Sequence, residues 1–275
     1  HILLPIFACC SIEMEPGEYD GLVAKAQAGG TGAAIDLLSA MRTNKIHQPE
    51  LVIIHGGKLL SSAPRKLGGE IWAVLEQVFL AAVDVGADDW RDYSLSKLTK
   101  RFPSSNRVER LKGINEESKR NWAEAQKIYK KMLAEKPEDM VTRKRQIAVF
   151  KQQGNREQAV IEINQYLEHF CTDTEVWHEL AELYVEVGSL SRAVYCYEEL
   201  MLTNPRSMYH ILTYAELLFS TGDYDLSRKY FSLASYLDGT CLRAIWGLLA
   251  VNMALADKDK SNERMGQLQG FTIDR

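Results

Sequence analysis

The sequence predicts an all-α fold built from tandem pairs of antiparallel helices. Three observations support this prediction. Chemically similar residues recur every 34 residues through most of the 275-residue chain. Glycine and proline interrupt the apolar pattern at intervals that fit one helix each. The 46% hydrophobic and 25% charged residues are those of an ordinary folded protein.

Four positions recur in one common register. The first, mostly glycine, is Gly86, Arg120, Gly154, Gly188 and Gly222. The second, mostly proline, is Pro103, Pro137, Cys171, Pro205 and Gly239. The third, bulky and apolar, is Leu95, Tyr129, Ile163, Tyr197 and Phe231. The fourth, small after its first member, is Arg91, Ala125, Ala159, Ala193 and Ser227. Such a period indicates a helical repeat protein.

Each recurring position has a physical role in a pair of helices, A and B. The glycine ends helix A in a left-handed conformation, and the proline closes helix B. The small residue lies where the two helices cross. The window 174–207 matches the tetratricopeptide signature at Trp177, Leu180, Ala181, Tyr184, Gly188, Ala193, Tyr197 and Pro205. The predicted fold is therefore a tetratricopeptide-repeat superhelical solenoid of antiparallel helix pairs.

The register divides the chain into segments. Five repeats are expected at 72–105, 106–139, 140–173, 174–207 and 208–241, followed by a capping helix to about Ala256. Residues 18–71 are expected to form N-terminal helices, with one degenerate repeat at 32–61. Residues 1–17 are interpreted as an unstructured or leader segment, and 257–275 as a loose polar tail.

Motifs for catalysis or cofactor binding are incomplete. Gly30-Thr31-Gly32 lacks the third glycine of a dinucleotide loop, and His178-Glu179 is followed by Glu182 where a zinc protease needs histidine. The five cysteines form no C-x-x-C pair, and the net charge of −4 argues against nucleic acid as the main partner. We therefore expect no catalytic site, no metal and no cofactor.

The predicted binding surface is the concave groove lined by the A helices, at positions 2, 5, 9 and 12 of each repeat. The candidate residues are Arg107, Arg110, Lys144, Lys151, His178, Glu182, Tyr209 and Glu216. Position 9 carries no asparagine, whereas receptors for chaperone tails hold a carboxylate with asparagine and lysine. The groove favours a long extended partner segment. A free-standing peptide-binding adaptor remains the alternative.

Several stretches, many of whose residues the repeat signature does not dictate, resemble subunit 2 of the endoplasmic reticulum (ER) membrane protein complex. They include Arg101-Phe102-Pro103, Tyr166-Leu167-Glu168, the run from Trp177 to Tyr184, Glu198-Glu199-Leu200-Met201 and the run from Leu226 to Phe231. The resemblance covers about residues 50–250. Residues 1–48 differ from the usual opening of that family, and relatives carry further helix after the position of residue 256.

The resemblance implies a scaffold without enzymatic activity on the cytosolic side of the ER membrane. It implies partners among the membrane subunits, through their cytosolic ends, and a second soluble subunit. The complex as a whole inserts transmembrane segments, including tail anchors. No apolar run in the sequence approaches the roughly 18–20 residues of a membrane span, so membrane association is expected through partners.

Overall fold

The computed structural model of the chain describes residues 16–273, with side chains described over 17–258. The chain divides into two compact units at Gln153–Gly154. The expectation for residues 1–17 falls almost wholly outside the described residues.

The first unit contains eight α-helices and one 3-10 helix within its described residues. The α-helices are α1 (Pro16–Gln27), α2 (Thr31–Thr43), α3 (Pro49–Ser62), α4 (Ile71–Val85), α5 (Asp88–Arg101), α6 (Asn106–Ser118), α7 (Trp122–Glu135) and α8 (Met140–Gln152). The 3-10 helix spans Pro64–Glu70 and connects α3 to α4. A buried core joins α2, α3 and α4 through residues such as Leu37, Leu38, Leu59 and Phe79.

The second unit contains six α-helices within its described residues. They are α9 (Arg156–His169), α10 (Thr174–Glu186), α11 (Leu190–Thr203), α12 (Met208–Thr221), α13 (Tyr224–Leu237) and α14 (Leu242–Ile273). Its last core cluster joins α12, α13 and α14 through Ile211, Ala215, Phe231, Ala234 and Ala244.

Residues 16–273 contain no β-strand, and each of the five repeat windows holds two helices. Helices pack in consecutive pairs: α4 on α5, α6 on α7, α10 on α11 and α12 on α13. The predicted all-α tetratricopeptide fold is confirmed. The A helices of the repeats are α4, α6, α8, α10 and α12, and the B helices are α5, α7, α9, α11 and α13.

The turn between helices A and B has the backbone conformation that the sequence predicts. Gly86, Gly154, Gly188 and Gly222 have φ of 79°, 73°, 79° and 88°. Arg120, the one member of this set that is not glycine, adopts φ of 58°. The left-handed conformation is therefore used at all five turns, including the turn where a side chain makes it unfavourable.

The end of the chain differs from the expectation. The sequence predicts a capping helix that ends near Ala256, before a loose polar tail at 257–275. Instead α14 continues without interruption to Ile273. The polar residues after Ala256 include good helix formers and neither proline nor, before Gly266, glycine. Within the described residues, no helix is long and apolar enough to cross a membrane.

Candidate partner-binding surface

One pair of consecutive A helices in each unit, α6 with α8 and α10 with α12, is joined at the same two repeat positions. Arg110 Nε donates to Thr142 Oγ1 over 3.4 Å, and His178 Nε2 lies 2.8 Å from His210 Nε2. Both pairs are 32 residues apart, because position 5 of one repeat meets position 3 of the next. In these two pairs the side chain at position 5 therefore lies beside the following A helix.

Of the two candidate arginines in the first unit, Arg107 is more exposed than Arg110. Its Nε donates to Glu76 over 2.7 Å, and its side chain is 71% exposed. Glu76 occupies position 5 of the preceding repeat, so the pair bridges α4 and α6. Such an exposed pair contributes little stability, and the guanidinium can still contact a partner.

Arg110 is held within its own unit. Its Nη2 donates to Asp139 Oδ2 over 3.0 Å, and both side chains are largely buried. Asp139 caps α8 by accepting from the Thr142 N–H. Partial burial of Asp139 opposes ionisation, but the bonds from Thr142 and the charge of Arg110 outweigh it and lower the pKa of this carboxyl. Arg110 thus joins α6 to the start of α8.

Lys144 and Lys151 lie on α8 and are partly exposed. Glu117, which position 12 assigns to the groove, is instead buried. It accepts a hydrogen bond from the Tyr129 hydroxyl, and Arg145 Nη1 lies 3.6 Å from its other carboxylate oxygen. Burial raises the pKa of Glu117 against the opposing effects of Arg145 and Tyr129. Position 12 is therefore an unreliable guide to the surface in this repeat.

In the second unit, His178 belongs to an aromatic cluster that we call the His–Tyr cluster: His178, Tyr197, Tyr209 and His210. The His178 ring centroid lies 5.9 Å from that of Tyr197, 5.7 Å from that of Tyr209 and 4.7 Å from that of His210. Burial lowers the pKa of both histidines, and His178 further lowers the pKa of His210. The cluster is therefore uncharged at neutral pH. Tyr209, at 52% exposed, is the most exposed member of the cluster.

The acidic candidates in this unit differ from each other. Glu182 on α10 is exposed, whereas Glu216 on α12 accepts two hydrogen bonds from Arg243 of α14, over 2.8 and 2.7 Å. This two-bond geometry fixes the orientation of both groups. The Glu216–Arg243 pair borders a cleft of about 670 Å³ whose apolar lining includes Phe219, Phe231 and Trp246.

The candidate binding residues are divided equally between the two units. Arg107, Arg110, Lys144 and Lys151 lie in the first unit, and His178, Glu182, Tyr209 and Glu216 in the second. The sequence does not reveal that Asp139, His210 and Arg243 are the fixed partners of Arg110, His178 and Glu216. The spacing of 32 between His178 and His210 is present in the sequence, but it is two short of the repeat and no motif contains it.

The fold and this surface define a tetratricopeptide-repeat protein, a class whose A helices present side chains to other proteins. No cluster of three or more metal-binding side chains occurs among the residues that the structure describes.

Comparisons with known proteins identify the family. The family described as the EMC2 TPR-like repeat domain matches residues 91–227. ER membrane protein complex subunit 2-B of Xenopus laevis is 38% identical over 84% of this chain and 78% of its own length. ER membrane protein complex subunit 2 of Xenopus tropicalis is 39% identical over the same shares. The chain belongs to the family of ER membrane protein complex subunit 2.

Solved structures include a tetratricopeptide repeat protein from Parabacteroides merdae, which is 17% identical. The match covers 86% of this chain and 99% of that one, with a TM-score of 0.45.

Proposed function

We propose that the chain is a scaffold subunit, without catalytic activity, of an ER membrane protein complex. In this role it lies on the cytosolic face of the ER and is held there by the cytosolic ends of membrane subunits and by a second soluble subunit. The complex that it organises inserts transmembrane segments, including tail anchors, into the bilayer. The observation that carries the proposal is the identity of 38–39% with subunits of that complex over 84% of the chain.

The binding surface that we propose in the second unit consists of Tyr209, His178 and Glu182. Tyr209 offers a half-exposed aromatic ring over a cluster whose rings contact each other. A rigid aromatic side chain loses little entropy on binding and often dominates an interface. Glu182 adds a negative charge on the adjacent A helix, so a partner segment with an apolar and a basic residue suits this surface.

The test compares two tyrosines of similar exposure. Tyr209 on α12 is 52% exposed and Tyr195 on α11 is 54% exposed. Each would be changed to alanine in the full chain, expressed with an affinity tag in cells. We expect Tyr209→Ala to reduce recovery of other complex subunits from detergent extracts by about tenfold, a loss typical of an interface anchor. Tyr195→Ala should have no such effect.

Membrane fractionation tests the proposed location. The parent chain should sediment with ER membranes and be released by alkaline carbonate, as a peripheral protein is. Recovery of the parent chain wholly in the soluble fraction, with no other subunit attached, would contradict the proposed function. Arg110 is unsuitable for this test, because its substitution would disturb Asp139 and the start of α8.

A further inference from the structure

The start of α14 occupies the place of a sixth A helix. It packs against α12 and α13, and Ala244 and Val251 are fully buried there. Gly247 lies so close to the Phe231 ring that a Cβ would overlap it. Leu242 stands 34 residues after Met208, the first residue of α12. The repeat register therefore continues into α14.

The register predicts a turn that α14 does not make. A residue with positive φ ends the A helix at Gly86, Arg120, Gly154, Gly188 and Gly222. The next position in this series is Ala256, and the helix continues through it. Within the described residues, no B helix therefore returns along α14.

As a consequence, α14 has an uncovered apolar face. We define the open face of α14 as Leu242, Ile245, Trp246, Leu249 and Met253, which are 69%, 45%, 67%, 50% and 61% exposed. The residues 34 positions earlier show what this face does in a complete repeat. Ile211, Leu212 and Ala215 are at most 6% exposed and share a buried cluster with Phe231 and Ala234 of the B helix α13 and with Ala244 and Val251 of α14, whereas Met208 and Phe219 are partly buried against it.

The contact at the centre of that earlier interface is known in detail. Ser227 of α13 donates its hydroxyl to the Ala215 carbonyl oxygen over 2.8 Å, so the two backbones approach closely. Leu249 stands where Ala215 does. We therefore expect a helix that crosses α14 at Leu249 to present a small residue, as four of the five B helices do at Ala125, Ala159, Ala193 and Ser227; the first B helix has Arg91 at this position.

We propose that the open face of α14 binds an amphipathic helix of a partner chain, in the place that a sixth B helix would occupy. The five B helices of the chain are each 14 residues long, which sets the expected length of the partner helix. Its apolar residues recur at i, i+3 or i+4, and i+7 around a small residue. The adjoining cleft at Phe219, Phe231 and Trp246 accepts one of its large side chains.

The alternative occupant, α14 of a second copy, fits less well. Two open faces would bring Leu249 and Trp246 against the same large residues, whereas four of the five B helices meet their A helix with a small residue. Helices approach to 8–10 Å only when their side chains interdigitate. The proposal rests on the proposed scaffold role in one respect, because that role supplies the partner chain.

A photo-crosslinking experiment tests the proposal. p-Benzoylphenylalanine would replace Leu249 in the full chain, expressed in cells, and Tyr236 of α13 in a control, since Tyr236 is 85% exposed. Crosslinked peptides would be sequenced by mass spectrometry. We expect position 249 to capture a segment of another subunit that has the helical apolar spacing and the central small residue, and position 236 not to capture that segment.

A second measurement uses Ile245→Glu, with the crosslinker kept at Leu249. The yield of the crosslinked segment should fall about tenfold or more, because a carboxylate would be buried in the apolar contact. The circular dichroism and melting temperature of Ile245→Glu itself should match those of the parent chain, since Ile245 is exposed in the free protein.

The possible outcomes are distinguishable. Crosslinks only to a second copy, only within the chain, only to lipid, or to no protein at all would overturn the proposed helix site. Membrane association of the parent chain is measured separately. If that association holds while position 249 captures no amphipathic segment, the scaffold function stands and the helix site fails. If that association fails while position 249 captures such a segment, the helix site stands and the scaffold function fails.

Discussion

His178 and His210 lie on consecutive A helices with their Nε2 atoms 2.8 Å apart, so one imidazole donates a hydrogen bond to the other. His210 is 8% exposed, and its Nδ1 has no hydrogen-bond partner among the described residues. Protonation of both rings would place two positive charges in direct contact. The pair is therefore stable only while at most one ring is charged.

This pair contributes to the pH dependence of stability. Burial lowers the pKa of both histidines in the folded chain, whereas in the unfolded chain they bind protons at pH about 6.5. The unfolded state thus binds more protons below that pH, and folding stability falls as the pH falls. We expect the melting temperature to drop between pH 7.5 and 5.5, and to drop less in His178→Gln. The matched control, His169→Gln at an exposed position, should keep the slope of the parent chain.

The ring of Tyr129 leaves no room for a side chain at Gly113. A Cβ at Gly113 would overlap the Tyr129 ring and hydroxyl, which also donates to the buried Glu117. Gly113→Ala should therefore destabilise the first unit by about 1–3 kcal/mol, as overpacking does. In α1, Gly21 has open space around its Cβ position, and Gly21→Ala should be neutral or stabilising by up to ~1 kcal/mol. Urea denaturation of both variants measures the difference, and equal midpoints would contradict the packing role.

Ala193 tests the interface between helices A and B. It is fully buried on α11, and Ser227, its equivalent one repeat later, contacts the backbone of the paired A helix. Ala193→Leu should cost about 1–3 kcal/mol and separate α10 from α11. Ser191→Leu, at an exposed position of the same helix, is the control. A normal melting temperature for Ala193→Leu would show that the register of the repeat is wrong.

Arg120 is the one turn residue of the five whose conformation strains the backbone. Its φ of 58° is unfavourable for a residue with a Cβ, by about 1–2 kcal/mol. Arg120→Gly should raise the free energy of unfolding by about 1 kcal/mol, which a urea titration resolves. The reverse substitution, Gly188→Ala, should lower it by a similar amount, because Gly188 has φ of 79°. A loss of stability in Arg120→Gly would indicate that the arginine side chain makes contacts that outweigh the strain.

The helices of the repeats are predictable from the sequence for a physical reason. Turn residues with positive φ and small residues at helix crossings are constraints that act within one repeat, so a 34-residue spacing reveals them directly. Ala125 and Ala159 are fully buried, as the crossing requires.

The binding surface is less predictable, because it depends on which side chain pairs with which across repeats. The repeat register predicts that Arg110 contacts a partner protein, but its guanidinium is hydrogen-bonded to Asp139 of its own chain. The register also assigns Glu117 to the groove, but Tyr129 and Arg145 hold it in the interior. The position of a residue within the repeat indicates only approximately which way its side chain points. The local charges then decide whether it turns to solvent or to its own chain.

The uninterrupted course of α14 has a mechanical consequence. At 1.5 Å per residue, a helix of 32 residues is about 48 Å long, whereas the 14-residue α12 beside it is about 21 Å. Only the first half of α14 can therefore rest on its neighbours α12 and α13. Ala244 and Val251 are buried in that first half, so a force applied near Ile273 would reach α12 and α13 through them.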